Sequence, residues 1–268
     1  MDEKKLEEIA TLLNLPLGPL RNQILKRVTY DGPCDAFAKA ERKIAIACTA
    51  RSGSSIISVT LQNYGLKFQE YLNSEGSVRL RQEESGAQTT SQLAQAIADH
   101  ALTDGTVAIK MPPAGLLYFL VFGELARLDE WKIVYLRREN IVRQAISSEV
   151  AARTGQWTHV MAKTGEISGD EYDFDKLLVR CDGIAQQNRI WERFIGLTGI
   201  DVFNVTYEEY MRVPDEKIRE MATYFGVDVD ALDTNKMPEP WLKVQSTDLN
   251  KVWEERFRDD LKKRMAGV

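Results

Sequence analysis

Short unbroken apolar runs alternate with stretches in which apolar residues recur every three or four positions, and that order predicts an α/β chain. KIAIACT, residues 43–49, has strand length and little polar alternation, as suits a strand buried on both faces of a parallel sheet. Arg51-Ser52-Gly53-Ser54-Ser55 follows it, and helical spacing then continues to about Tyr64. Strand, loop and helix make a first βα unit. Residues 107–111 form a second short strand ended by Pro112-Pro113, and WKIVYL at 131–136 forms a third. Helical patterns cover 91–100, 116–128, 141–153 and 173–198, with Asn140 as the expected N-cap of the third. DVFNVTY at 201–207 is a fourth strand, and helices at 215–225 and 250–265 complete the pattern. The polar stretch 73–90, rich in Glu, Gln, Ser and Gly, is expected to be a mobile surface loop.

The elements add up to an α/β open sheet, whose ligands bind at the carboxyl ends of the strands. Residues 4–28 pattern as two short helices broken by Pro16 and Gly18. The expected division is therefore an N-terminal helical extension over 1–42 and one domain over 43–268. A chain of 268 residues with 44% hydrophobic content can bury one sizeable core.

Charge and composition narrow the function. A formal net charge of −5 argues against a nucleic-acid partner, which would call for a basic stripe. Cys34, Cys48 and Cys181 are scattered, so neither a disulfide framework nor a zinc site is expected, and a reducing compartment fits. The only histidines are His100 and His159, which leaves little for histidine-based metal chemistry, and no metal is expected. The start MDEKKLEEIATLLNL is acidic and amphipathic, unlike a signal peptide. Glu124 and Arg127 interrupt the longest apolar stretch, so no transmembrane segment is expected either. A cytoplasmic protein is the resulting expectation.

Two segments carry candidate chemistry. In residues 51–55, Gly53 would let backbone N–H groups approach an anion, and the following helix adds its unpaired N–H groups. Ser54 and Ser55 add hydroxyl donors, and Arg51 adds a forked cation. A tight βα turn packed with small residues would look the same. The second segment is Tyr135-Leu136-Arg137-Arg138-Glu139-Asn140 with Gln144-Ala145-Ile146-Ser147. An arginine leaving a buried strand, with a serine in the next helix, makes a second phosphate-sized site; surface ion pairing is the plainer alternative. Two such sites on neighbouring βα units suit a nucleotide with separated phosphates.

Thr49-Ala50-Arg51-Ser52-Gly53-Ser54-Ser55 resembles the 5′-phosphosulfate loop of sulfotransferases that use PAPS (3′-phosphoadenosine 5′-phosphosulfate). LRRENIVRQAIS resembles their 3′-phosphate motif, especially as found in the bacterial trehalose 2-sulfotransferase family. Phe68-Gln69-Glu70-Tyr71, Gly155-Gln156-Trp157 and the tail Trp253-Glu254-Glu255-Arg256-Phe257-Arg258 follow that family's pattern too. The likeness runs from about Lys43 to Arg258 and implies a P-loop-like three-layer fold, with a mainly parallel central sheet flanked by helices. By the same likeness, Arg51, Ser52, Gly53, Ser54 and Ser55 would hold the 5′-phosphosulfate of PAPS, and Arg138 and Ser147 its 3′-phosphate. Lys110 would stabilise the transferring group. Animal cytosolic sulfotransferases carry a histidine just after that lysine, where this chain has Met111-Pro112-Pro113. Glu70 matches the glutamate that serves as base in the trehalose family. The resemblance further implies a carbohydrate or glycolipid acceptor and a homodimer.

Two other functions share parts of the pattern. A P-loop nucleotide kinase would need a lysine in the first loop, and the Walker pattern GxxxxGK[ST] is absent. A catalytically silent nucleotide-binding module would keep the anion sites but has no use for Glu70 and Lys110.

Overall fold

In the computed structural model, residues 2–267 are described except 20, 21, 23, 158–160, 168–170 and 231–247. Strands β1 (Arg42–Cys48), β3 (Thr106–Met111), β4 (Trp131–Arg137) and β5 (Val202–Thr206) lie parallel, and the two-residue β2 (Leu102–Thr103) closes one edge antiparallel to β3. Their order is β2-β3-β1-β4-β5. The chain leaves β1 towards β3 but leaves β4 towards β5, so the topology reverses at the β1–β4 crevice. Such reversal points open a cleft outside the carboxyl ends of the strands.

Alternation along β1 explains the layers. Ile44, Ile46 and Cys48 face one side, packing on Ile57 and Leu61 of α3 (Ser54–Gln62) and on Ile218 and Met221 of α10 (Pro214–Tyr224). Ala45 and Ala47 face the other, against α1 (Glu3–Leu12), α5 (Thr90–Ala101), α6 (Gly115–Phe122) and the end of α8 (Phe174–Thr198). All eight residues of α6 are buried, as expected of a helix apolar on every side. The N-terminal Leu6, Ala10, Leu13 and Leu15 belong to this same core. A third cluster joins α7 (Ile141–Thr154) and α8 to α11 (Asp248–Met265) through Ile146, Cys181, Trp253 and Phe257.

Most elements match the sequence pattern to within two residues, and Asn140 caps α7 by accepting from Arg143 N–H. Three differ. Residues 74–85 are helical rather than a loop, as a π-helical turn leading into α4 (Arg79–Ser85); Val78 is buried there, and Gln82 Nε2 donates to Arg27 O at 3.0 Å. The helix expected over 116–128 stops at Gly123, whose φ of +87° ends α6 and whose missing Cβ leaves room for Pro33. Beyond it a 3-10 stretch, Glu124–Glu130, buries Glu124, which accepts from Trp131 Nε1 at 3.0 Å; burial pushes this carboxyl up. Of the second N-terminal helix, the described residues show one turn, α2 (Leu17–Pro19), next to residues that lie outside the description. Among the described residues, no helix is long and apolar enough to cross a membrane.

Candidate active site

The carboxyl ends of β1, β3, β4 and β5 converge, and the candidate side chains leave from them. Thr49 to Gly53 link β1 to α3. Arg51 takes φ +63°, a left-handed conformation that costs a non-glycine residue roughly 1–2 kcal/mol. Such strain persists where the surroundings enforce it, as at ligand-binding loops. Gly53, at φ +100°, is the N-cap of α3, and a Cβ there would collide with the Tyr207 ring. Ser54 and Ser55 open α3, whose first N–H groups have no partner within the helix.

Two guanidinium groups meet at the crevice. Arg51 Nε donates to Ser147 Oγ at 2.9 Å, and its Nη1 donates to the Trp157 carbonyl. Arg138 Nη1 lies 3.5 Å from Arg51 O, and its guanidinium sits 4.7 Å from the centre of the Tyr207 ring. Burial and the nearby Arg138 charge push the Arg51 pKa down; burial does the same to Arg138. Arg138 Nε and the wholly buried Ser52 Oγ have no hydrogen-bond partner. Glu208 stands 3.9 Å from Arg138 Nε but accepts from the N–H groups of Glu139 and Asn140, at 3.0 and 3.3 Å. Its neighbour Glu209 forms a capping box with Thr206 at the start of α9 (Tyr207–Arg212).

The Lys110 side chain leaves β3 on the α3 side of the sheet. Its Nζ lies 3.4 Å from Ser55 Oγ and 2.9 Å from Glu70 Oε1. Glu70 is placed by the backbone: Gln69 continues the β3 edge where β2 ends, accepting from Lys110 N at 2.8 Å and donating to Ala108 O at 3.3 Å. Lys110 is largely buried, whereas 48% of the Glu70 side chain faces solvent. Cys48 lies beside Lys110 and Ser54, but burial pushes its thiol up to about 11, so it is no thiolate at neutral pH. His100 contacts Arg81 and the Tyr71 ring edge, and His159 lies outside the described residues.

The structure thus gathers every expected site residue into one region, in two linked groups. Arg51, Ser52, Arg138 and Ser147 form the first, Lys110 and Glu70 the second, with Ser54 and Ser55 between them. Ser147 contacts Arg51, so the two anion sites adjoin. Sequence reasoning gave no role to three supports. Gln144 is wholly buried, and its Nε2 donates to Thr49 Oγ1 and Ala50 O, both at 2.7 Å. Tyr207 walls both Gly53 and Arg138. Glu254 accepts from Asn140 Nδ2 at 2.8 Å, Arg258 Nη2 at 2.9 Å and Arg143 Nε. Burial alone would raise its carboxyl, but these hydrogen bonds hold it down at about 2. A polar residue one helical turn before Ser147 was the available signal for Gln144; Tyr207 had none.

A parallel sheet with two adjoining cationic loops on its carboxyl edge offers a site for a polyanionic ligand. Residues 121–260, over half of the chain, match the Stf0 sulphotransferase family. The chain belongs to that family and is a sulfotransferase, which sets the kinase reading aside. No curated protein matches it. Among solved structures it is similar to retinol dehydratase in a complex with retinol and PAP, at 12% identity and a TM-score of 0.42, over 86% of this chain and 81% of that one.

Gly53 should be intolerant of any side chain for two separable reasons. Gly53→Ala is expected to destabilise the fold by about 1–3 kcal/mol in urea unfolding. Adding Tyr207→Ala should relieve only the collision, leaving the backbone strain; full recovery in the double variant would contradict the assignment.

Proposed function

We propose that this protein moves a sulfuryl group from PAPS to a hydroxyl of a carbohydrate or glycolipid by direct in-line transfer. The observation that carries the reading is the contact chain Glu70–Lys110–Ser55, which sets a carboxylate and an ammonium beside the first turn of α3, the helix that the Arg51 loop leads into. Unpartnered donors on Ser52 and Arg138 suit a ligand rich in acceptor oxygens. Arg51, Ser52, Gly53, Ser54 and Ser55 would hold the 5′-phosphosulfate. Arg138 would hold the 3′-phosphate, and Ser147 would steady it from the junction with Arg51.

In this scheme Glu70 takes the proton of the acceptor hydroxyl as that oxygen bonds to sulfur. The bond from sulfur to the bridging phosphate oxygen breaks, and its electron pair leaves with adenosine 3′,5′-bisphosphate. Lys110 and the α3 N–H groups face the charge that builds on the leaving oxygens, where fixed cations and dipoles act most strongly. The exposure of Glu70 leaves a way in for a bulky acceptor, which supports a sugar or glycolipid. The likeness to the trehalose enzymes extends the proposal to a homodimer; the scattered cysteines support a reducing, cytoplasmic setting, and the helical pattern at the N-terminus supports residues 1–42 as an extension of the catalytic domain at 43–268.

Glu70→Gln is expected to lower turnover about 10²–10⁴-fold, with little change in calorimetric affinity for adenosine 3′,5′-bisphosphate. Loss of that affinity would instead make Glu70 a structural partner of Lys110. Wild-type protein should bind the bisphosphate much more tightly than AMP, and Arg138→Ala should remove most of the difference. Retained discrimination in that variant would move the 3′-phosphate site elsewhere.

A further inference from the structure

We infer that Gln144 is a positioning residue that sets the separation of the two anion sites, so that a donor with phosphates at both ends is bound as one rigid unit. The inference rests on the donor proposed above. Gln144 and Ser147 are three positions apart on α7 and share one face of it. Ser147 meets the Arg51 guanidinium, whereas Gln144 meets the framework of the same loop, Thr49 Oγ1 and Ala50 O. Both acceptors come immediately before Arg51, where the chain turns into the left-handed conformation. Gln144 therefore fixes where β1 ends and the first anion loop begins.

The other end of the same helix turn is tied to the second site. α7 starts at its cap Asn140, two residues after Arg138, and Glu208 and Glu254 hold that start. Less than two helical turns, from Asn140 to Gln144, thus connect the Arg138 loop to the Arg51 loop. Gln144 is wholly buried and its Oε1 has no hydrogen-bond partner. A side chain needed only to fill space could be apolar and would leave no buried oxygen unpaired. The carboxamide is kept for its two donated bonds.

Calorimetry on the full chain with adenosine 3′,5′-bisphosphate and with AMP tests this. In Gln144→Met, of similar volume but without donors, the Kd for the bisphosphate should rise about tenfold while that for AMP moves by less than about twofold. Equal weakening towards both ligands would show a merely structural role, and no change towards either would show no role; each overturns the inference. If wild-type protein itself fails to prefer the bisphosphate, the donor assignment is wrong and the inference falls with it. Should Gln144→Met not fold, Thr49→Val removes one of the two acceptors and should give the same ligand contrast at a few-fold; equal shifts there would also overturn it.

Discussion

Two half-buried arginines brought to one crevice, with Arg138 Nη1 at 3.5 Å from the Arg51 carbonyl, set the terms for everything else in the site. Burial disfavours the charge on both Arg51 and Arg138, and the Arg138 charge adds to this at Arg51, yet arginine does not give up its proton under ordinary conditions. A neutral partner for Arg51, the Ser147 hydroxyl, and an aromatic face for Arg138, the Tyr207 ring, hold the groups without cancelling their charge. The arrangement favours an anion arriving from outside over an internal carboxylate. Had Glu208 closed onto Arg138 as a bidentate pair, that capacity would be lost; its oxygens are instead spent on two backbone N–H groups.

Holding like charges together requires a stiff frame, and the surrounding elements supply it. β1 and β4 are neighbours in register, so the loops that follow them emerge side by side at the topological reversal. α7 is locked at its start by Glu254 from α11, which explains why the tail Trp253–Arg258 belongs with the site although it lies outside the sheet: Trp253 and Phe257 anchor the helix while Glu254 reaches α7. The Lys110–Glu70 pair uses a different device. Gln69 bonds to the β3 backbone, so the carboxylate is carried on the edge of the sheet rather than on a free loop.

Much of this was legible in the sequence. KIAIACT and WKIVYL are apolar on both faces because both faces are covered, and the small residues at 51–55 are where the backbone turns with positive φ. Other parts were not legible, for physical reasons. Residues 74–85 are polar because their helix lies on the surface, and composition alone does not separate an exposed helix from a loop. β2 is two residues long, too short for any periodicity; its signal was the Asp104-Gly105 turn, with φ of +48° and +71°. Gln144 meets Thr49 across 95 positions, and its place one turn before Ser147 marks it as polar without naming that partner. Trp157 shows the converse: the motif marked it, but the structure uses its carbonyl, accepting from Arg51.

The proposed function requires one crevice, between β1 and β4, to hold both ends of a doubly phosphorylated donor. A crystal structure with adenosine 3′,5′-bisphosphate tests it most directly. The 5′-phosphate is expected against residues 52–55 at the start of α3 and the 3′-phosphate on Arg138, with Lys110 turned towards the 5′ end. A nucleotide whose 3′-phosphate points into solvent, or one bound away from the carboxyl edge of the sheet, would contradict it.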